Sequence, residues 1–132
     1  MSSDPATALV VDAANVIGSV PDGWWRDRAG AAARLNARLA AAQLPHTPIV
    51  VVYEGAAKRG VPADPDARPV VVHAPGSGDD EIVRQAKRYA VDGPVAVVTA
   101  DRGLIDRVRA VGADVIGPGW LLDRLPEAPR PE

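Results

Sequence analysis

Five short apolar runs recur along the chain, Leu9 to Val11, Ile49 to Tyr53, Val70 to His73, Val95 to Thr99 and Asp114 to Ile116. They are rich in β-branched residues and nearly continuous, not alternating with polar ones, which is how strands covered on both faces read. Helical patterns lie between them. Trp24 to Ala42 places Ala32, Leu35, Leu39 and Ala42 on one face; Asp79 to Ala90 carries Ile82, Val83, Ala86, Tyr89 and Ala90; Arg102 to Val111 carries Leu104, Ile105, Val108 and Val111. Gly112 supplies a helix stop and Gly93-Pro94 a turn. Strands alternating with helices predict an α/β fold of three layers, α/β/α, around a central, mainly parallel sheet of about five strands with right-handed crossovers.

One connection departs from the alternation. Glu54 to Pro69 holds Pro62, Pro65, Pro69, Gly55 and Gly60, so a long loop with at most a short helical turn is expected. Trp120 to Leu125 reads as a final short helix, and the proline-bearing ends, 1–7 and 126–132, are expected to fray. With 132 residues, 47% of them hydrophobic, the chain fits a single domain spanning 1–132 with an ordered core at about 8–125. A net charge of -2 does not exclude a nucleic-acid partner, because a binder that also holds metals can be acidic overall. The chain lacks any apolar run of about 18 residues, and its Met-Ser-Ser-Asp-Pro start lacks the basic and apolar regions of a secretion signal. Zero cysteines remove disulfides, thiolate nucleophiles and thiolate zinc sites. A cytoplasmic protein with no membrane association is expected.

The acids follow the strands. Asp12 closes the first, and Asn15 stands just beyond it; the third leads through a glycine-rich loop to Asp79, Asp80 and Glu81; the fourth leads to Asp101. Open parallel sheets keep their chemistry at strand carboxyl ends. Carboxylates gathered at one such edge repel one another unless cations sit among them, so a divalent-metal site is the leading expectation. Helix capping offers a plainer account for some of these residues: Ser77 as a cap with acids in the first turn, and Asp101 as an N-cap. Asp12 has no clear helix start to cap.

Asp12-Ala-Ala-Asn15, Gly-Ser-Gly-Asp-Asp-Glu-Ile-Val at 76 to 83 and Val-Val-Thr-Ala-Asp-Arg-Gly-Leu at 97 to 104 together resemble the NYN domain family, in the YacP-like branch of the PIN-like nuclease superfamily. The resemblance runs from Leu9 to about Gly117 and lies chiefly in the order of the motifs. It implies a PIN-like, Rossmann-like fold and a metal-dependent ribonuclease acting on RNA through Mg²⁺ or Mn²⁺. Carried over, the site would comprise Asp12, Asn15, Asp80 with Asp79 as the competing choice, and Asp101. Glu54, where relatives often show an acid after an aromatic, is either a peripheral ligand or an exposed acid at a strand end. Gly103 stands where many relatives carry a second acid; Asp106 could replace it, although a surface ion pair with Arg107 suits it better.

Phosphate contacts would need cations, and Lys58, Arg59, Arg84, Lys87, Arg88 and Arg102 are the candidates. An ion pair from Asp80 to Arg84 is the plainer role for the helix cations. Of Trp24 and Trp25, one is expected to pack while the other could stack on a base. His46 and His73 have no evident partner and read as structural or solvent-facing. A homodimer is compatible with the sequence. The rival reading is a non-catalytic RNA-binding or protein-interaction module with a degenerate site. A haloacid-dehalogenase phosphatase fits poorly, for lack of Asp-x-Asp after the first strand, and a receiver domain fits poorly because the acid pair lies mid-chain.

Overall fold

The computed structural model describes residues 7–127. Its five strands are β1 (Ala8–Asp12), β2 (Ile49–Tyr53), β3 (Val70–His73), β4 (Val95–Val98) and β5 (Asp114–Ile116). They form one sheet in the order β3-β2-β1-β4-β5, and every pairing is parallel. The helices are α1 (Ala13–Gly18), α2 (Arg28–Ala41), α3 (Gly78–Ala90), α4 (Arg102–Ala110) and α5 (Pro118–Leu122), with 3₁₀ segments at Trp24–Arg26 and Gly55–Gly60. The expected α/β/α sandwich is therefore present.

Pleating explains why the strands read as continuous apolar runs. Leu9, Val11, Ile49, Val51, Tyr53, Ala96 and Val98 face one core with Leu35 and Leu39 of α2, Val16 of α1 and Leu121 of α5. Val10, Val50, Val52, Val95 and Val97 face the opposite core with Ile82 and Ala86 of α3 and Leu104 and Val108 of α4. Alternate side chains thus enter different cores, and both faces must be apolar. Tyr53 is fully buried, and its hydroxyl donates to Asn36 Oδ1 at 3.0 Å or to the Ala32 carbonyl at 3.3 Å.

Several element boundaries differ from the sequence expectation. The helix foreseen from Trp24 starts at Arg28, because Asp27 accepts from the Gly30 amide at 2.8 Å and caps it. The closing helix begins two residues early, at Pro118, where a proline at the first helical position has no amide hydrogen to orphan. Within the 54–69 connection, the 3₁₀ segment packs on α2 so closely that a Cβ at Gly60 would collide with the Ala29 carbonyl. Gly112, at a φ of 93°, takes the left-handed conformation expected at the end of α4. Of the ends expected to fray, 1–6 and 128–132 lie outside the described residues.

Candidate active site at the carboxyl edge of the sheet

The strand order reverses between β1 and β4, since β2 and β3 are added on one side of β1 and the chain then crosses back to place β4 and β5 on the other. Parallel strands that diverge in this way leave a crevice at their carboxyl ends. Asp12 ends β1 there, and Thr99 to Asp101 leave β4 beside it. Asp12 is buried, with one carboxylate oxygen accepting from the Thr99 hydroxyl at 2.9 Å and the other from the Asn15 amide at 3.2 Å. The Thr99 hydroxyl also accepts from the Asp101 amide at 3.1 Å. Asn15 completes the link, as its side-chain oxygen accepts from the Ala100 amide at 2.9 Å. The two loops at the reversal point are therefore tied together by Asp12 and Asn15.

Asp12 does cap a helix, contrary to expectation. Its bond to the Asn15 amide is an N-cap contact at the start of α1. Six residues ending in Val16, Ile17 and Gly18 are too short and too β-branched to register as helical periodicity. Capping does not explain the burial, however. Burial first, and then the charges of Asp79 and Glu54, push the Asp12 pKa from 3.8 to about 6 against the opposing pull of its two hydrogen bonds.

Three other acids share this field. Glu54, after β2, accepts from the Gly78 amide at 2.8 Å, and a Cβ at Gly78 would stand 2.7 Å from the Glu54 carboxyl, so glycine is what permits that approach. Asp101 caps α4 by accepting from the Leu104 amide at 2.9 Å, as foreseen. Asp79 is half-buried, and its pKa is raised by burial and then by Asp101 and Glu54, with Arg107 opposing. Asp80 behaves differently. It is exposed and accepts from Arg107 at 2.8 Å. Asp79 is thus the acid of this pair that lies in the field of Asp12, Glu54 and Asp101, whereas the motif favours Asp80 with Asp79 as the competing choice, and Arg107 is a cation beside them that the sequence did not single out.

The remaining cations are placed as follows. Arg84 pairs with the buried Glu81 on its own helix and not with Asp80, while Gln85 donates to the other Glu81 oxygen at 2.8 Å. Arg107 is taken by Asp80, so the expected Asp106–Arg107 pair is absent and Asp106 is exposed. Arg88 covers the Tyr89 ring at 5.4 Å. At about 1.5 Å of rise per residue, it stands roughly 13 Å along α3 from Asp79. Lys58 donates to the Ala74 carbonyl at 3.0 Å, and Arg59, Lys87 and Arg102 are exposed. His73 Nε2 contacts the Val61 carbonyl at 2.6 Å, and His46 packs edge-on against Trp120. Arg84→Ala should chiefly lower stability, by about 1–3 kcal/mol, because Glu81 would stay buried with Gln85 as its remaining partner. Thermal melting checks this.

Among the described residues, no three His, Cys, Asp or Glu side chains are grouped closely enough to enclose a metal ion. The donor set is nonetheless of the kind hard cations take, being carboxylate and amide oxygens under mutual repulsion. It fits an ion that retains waters and is held by one or two carboxylates, which is magnesium's habit, and not a closed protein cage.

No protein-family model matches this chain, and no curated protein matches it in sequence. Its structure is similar to the crystal structure of Rae1 (YacP) from Bacillus subtilis, with a TM-score of 0.63 over 88% of this chain and 72% of that one. The two chains share a fold. At 18% identity the likeness shows the fold alone and carries no residue across. No helix among the described residues is long and apolar enough to cross a membrane.

Proposed function

We propose that the chain is a metal-dependent ribonuclease that hydrolyses RNA phosphodiester bonds in the crevice between β1 and β4. The observation that carries this reading is Asp12, a carboxylate buried at the reversal point of the sheet, with no cation paired to it among the described residues and with other acids raising its pKa further. A carboxylate kept in so costly a place fits a ligand to a positive charge. Asp12 and Asp79, with Glu54 and Asp101 beside them, are the residues that would hold the ion. Magnesium or manganese bound there would lower the pKa of an attacking water and offset the charge developing on the leaving oxygen.

The chain's own residues supply the rest. Thr99 and the Asn15 amide fix the Asp12 carboxylate, so the ligand arrives oriented. Asn15 holds the β4–α4 loop, and with it Asp101, against β1. Arg107 offers a guanidinium beside Asp79 and Asp80 to which a phosphate can exchange. Purified protein should cut single-stranded RNA with Mg²⁺ or Mn²⁺ and stop with a chelator; intact RNA under both metals would reject the reading.

The second reading is an RNA-binding module without catalysis. Gly103 favours it, because it leaves the α4 turn one acid poorer than many NYN relatives, in a site without a closed ligand cage. Metal-indifferent RNA binding without cleavage would select it.

A further inference from the structure

A cavity of about 400 Å³ opens on the α1 and α2 side of the crevice, lined by Ala14, Ile17, Trp24, Arg28, Glu54 and Gly76 among others. Glu54 lines this cavity and is also one of the acids that raise the pKa of Asp12 and Asp79. One wall is the half-buried Trp24, with the Arg28 guanidinium lying over one face of its ring, 5.4 Å from the centre, so a base would stack on the opposite face. Trp25 meets Trp24 edge-on, their centres 6.0 Å apart, and is 55% exposed with Arg26 at 5.8 Å. Nearby acids do not neutralise these arginines. Asp22 pairs with Arg34, Asp27 caps α2, and neither Arg26 nor Arg28 is in an ion pair among the described residues.

We propose that this cavity receives an unpaired nucleobase of the RNA, stacked on Trp24, and that the strand crosses the Trp24–Arg26 turn and does not follow α3. The occupant follows from the walls. An indole face selects a flat π system, Arg28 supplies a cation for the adjoining phosphate, and Glu54 supplies an acceptor for a base N–H. A duplex hides both the base face and its hydrogen-bonding edge, so the base must be single-stranded or splayed out. The exposed Trp25 and Arg26 offer the next base and phosphate the same pairing of surfaces. Along α3, Arg84 is committed to Glu81, and Arg88 stands roughly 13 Å along the helix from Asp79 and does not line this cavity. The inference takes the strand's passage over the carboxylates from the nuclease reading, but its test does not depend on cleavage.

The probe is a short mixed-sequence oligoribonucleotide in Ca²⁺ buffer, compared by fluorescence anisotropy with an oligomer of equal length made abasic throughout. Stacking of one base is worth about 5- to 150-fold in affinity, and of two bases about 30-fold or more. Wild type should therefore prefer the intact oligomer at least tenfold, and Trp24→Leu, which keeps apolar bulk without the indole face, should lose most of that preference. Equal affinity for both oligomers, or an unchanged preference in Trp24→Leu, overturns the proposal. Ultraviolet crosslinking of the wild type keeps the test decisive should that variant unfold: crosslinks must map to the peptide carrying Trp24 and Trp25, and crosslinks confined to α3 overturn it. Base preference without cleavage under Mg²⁺ supports this inference and rejects the nuclease reading; cleavage without base preference does the reverse.

Discussion

Asp12→Asn should abolish RNA cleavage and the thermal stabilisation brought by Mg²⁺, yet leave the metal-free fold more stable than wild type at neutral pH. The cleavage loss should reach at least about a hundredfold, since a catalytic cation's charge stabilisation amounts to several kcal/mol. The stability gain follows from the raised pKa. Folded Asp12 titrates at about 6, whereas an unfolded carboxyl titrates near 3.8. Between those values the native state holds a proton the unfolded state has released, so stability falls as pH rises through this window. Above it, the ionised buried group costs on the order of 3 kcal/mol. Asparagine removes that cost but sets an N–H against the Thr99 oxygen, which already accepts from the Asp101 amide. Such a mismatch returns about 1 kcal/mol, leaving a net gain of roughly 1–2 kcal/mol at pH 7.5 and none below pH 4. Melting curves of both proteins across this range, with and without Mg²⁺, read the two stability effects, and an RNA cleavage assay reads the first. A variant that melts lower than wild type at pH 7.5 without metal would show that Asp12 is held for its hydrogen bonds and not against a charge penalty.

The parallel sheet was legible because burial on both faces forces β-branched continuity, and all five runs became strands within one or two residues. What escaped was whatever depends on contacts distant in sequence. Thr99 lies 87 residues from Asp12, and only the pairing of β1 with β4 brings its hydroxyl to that carboxylate. Arg107 sits 27 residues from Asp80, and its claim on that side chain depends on how α3 packs against α4. The helix α1 escaped for a local reason, since six residues carry less than two turns of periodicity. Its cap, Asp12, consequently looked like a pure ligand. The pairing of Trp24 with Arg28 at i and i+4 was available in the sequence, but the cavity they line also needs Glu54 and Gly76 from the other side of the crevice.

Asp79 and Asp80 are adjacent in the same first turn of α3, and sequence treats them as near equivalents, so their substitution separates the crevice from the outer face of the helix. Asp79→Asn should weaken Mg²⁺ binding by at least about 10- to 100-fold, since losing a carboxylate that holds the ion costs no less than losing a partner that only orients a ligand, with cleavage falling at least in proportion. Asp80→Asn removes half of an exposed ion pair, worth about 0.2–1 kcal/mol, and should change metal affinity less than about threefold. Its direction is also set. Arg107, which already opposes the upward shift of Asp79, is freed by the loss of Asp80 and can draw closer to Asp79, so the small effect should be a weakening. Arg107→Gln should accordingly tighten Mg²⁺ slightly while weakening RNA, because it removes a competitor for Asp79 and a partner for phosphate together. Calorimetric titration of the three variants with Mg²⁺, alongside RNA affinity, reads each of these. If Asp80→Asn costs more metal affinity than Asp79→Asn, the ion sits on the α4-facing surface with Arg107, and the crevice beneath Asp12 is not the active site.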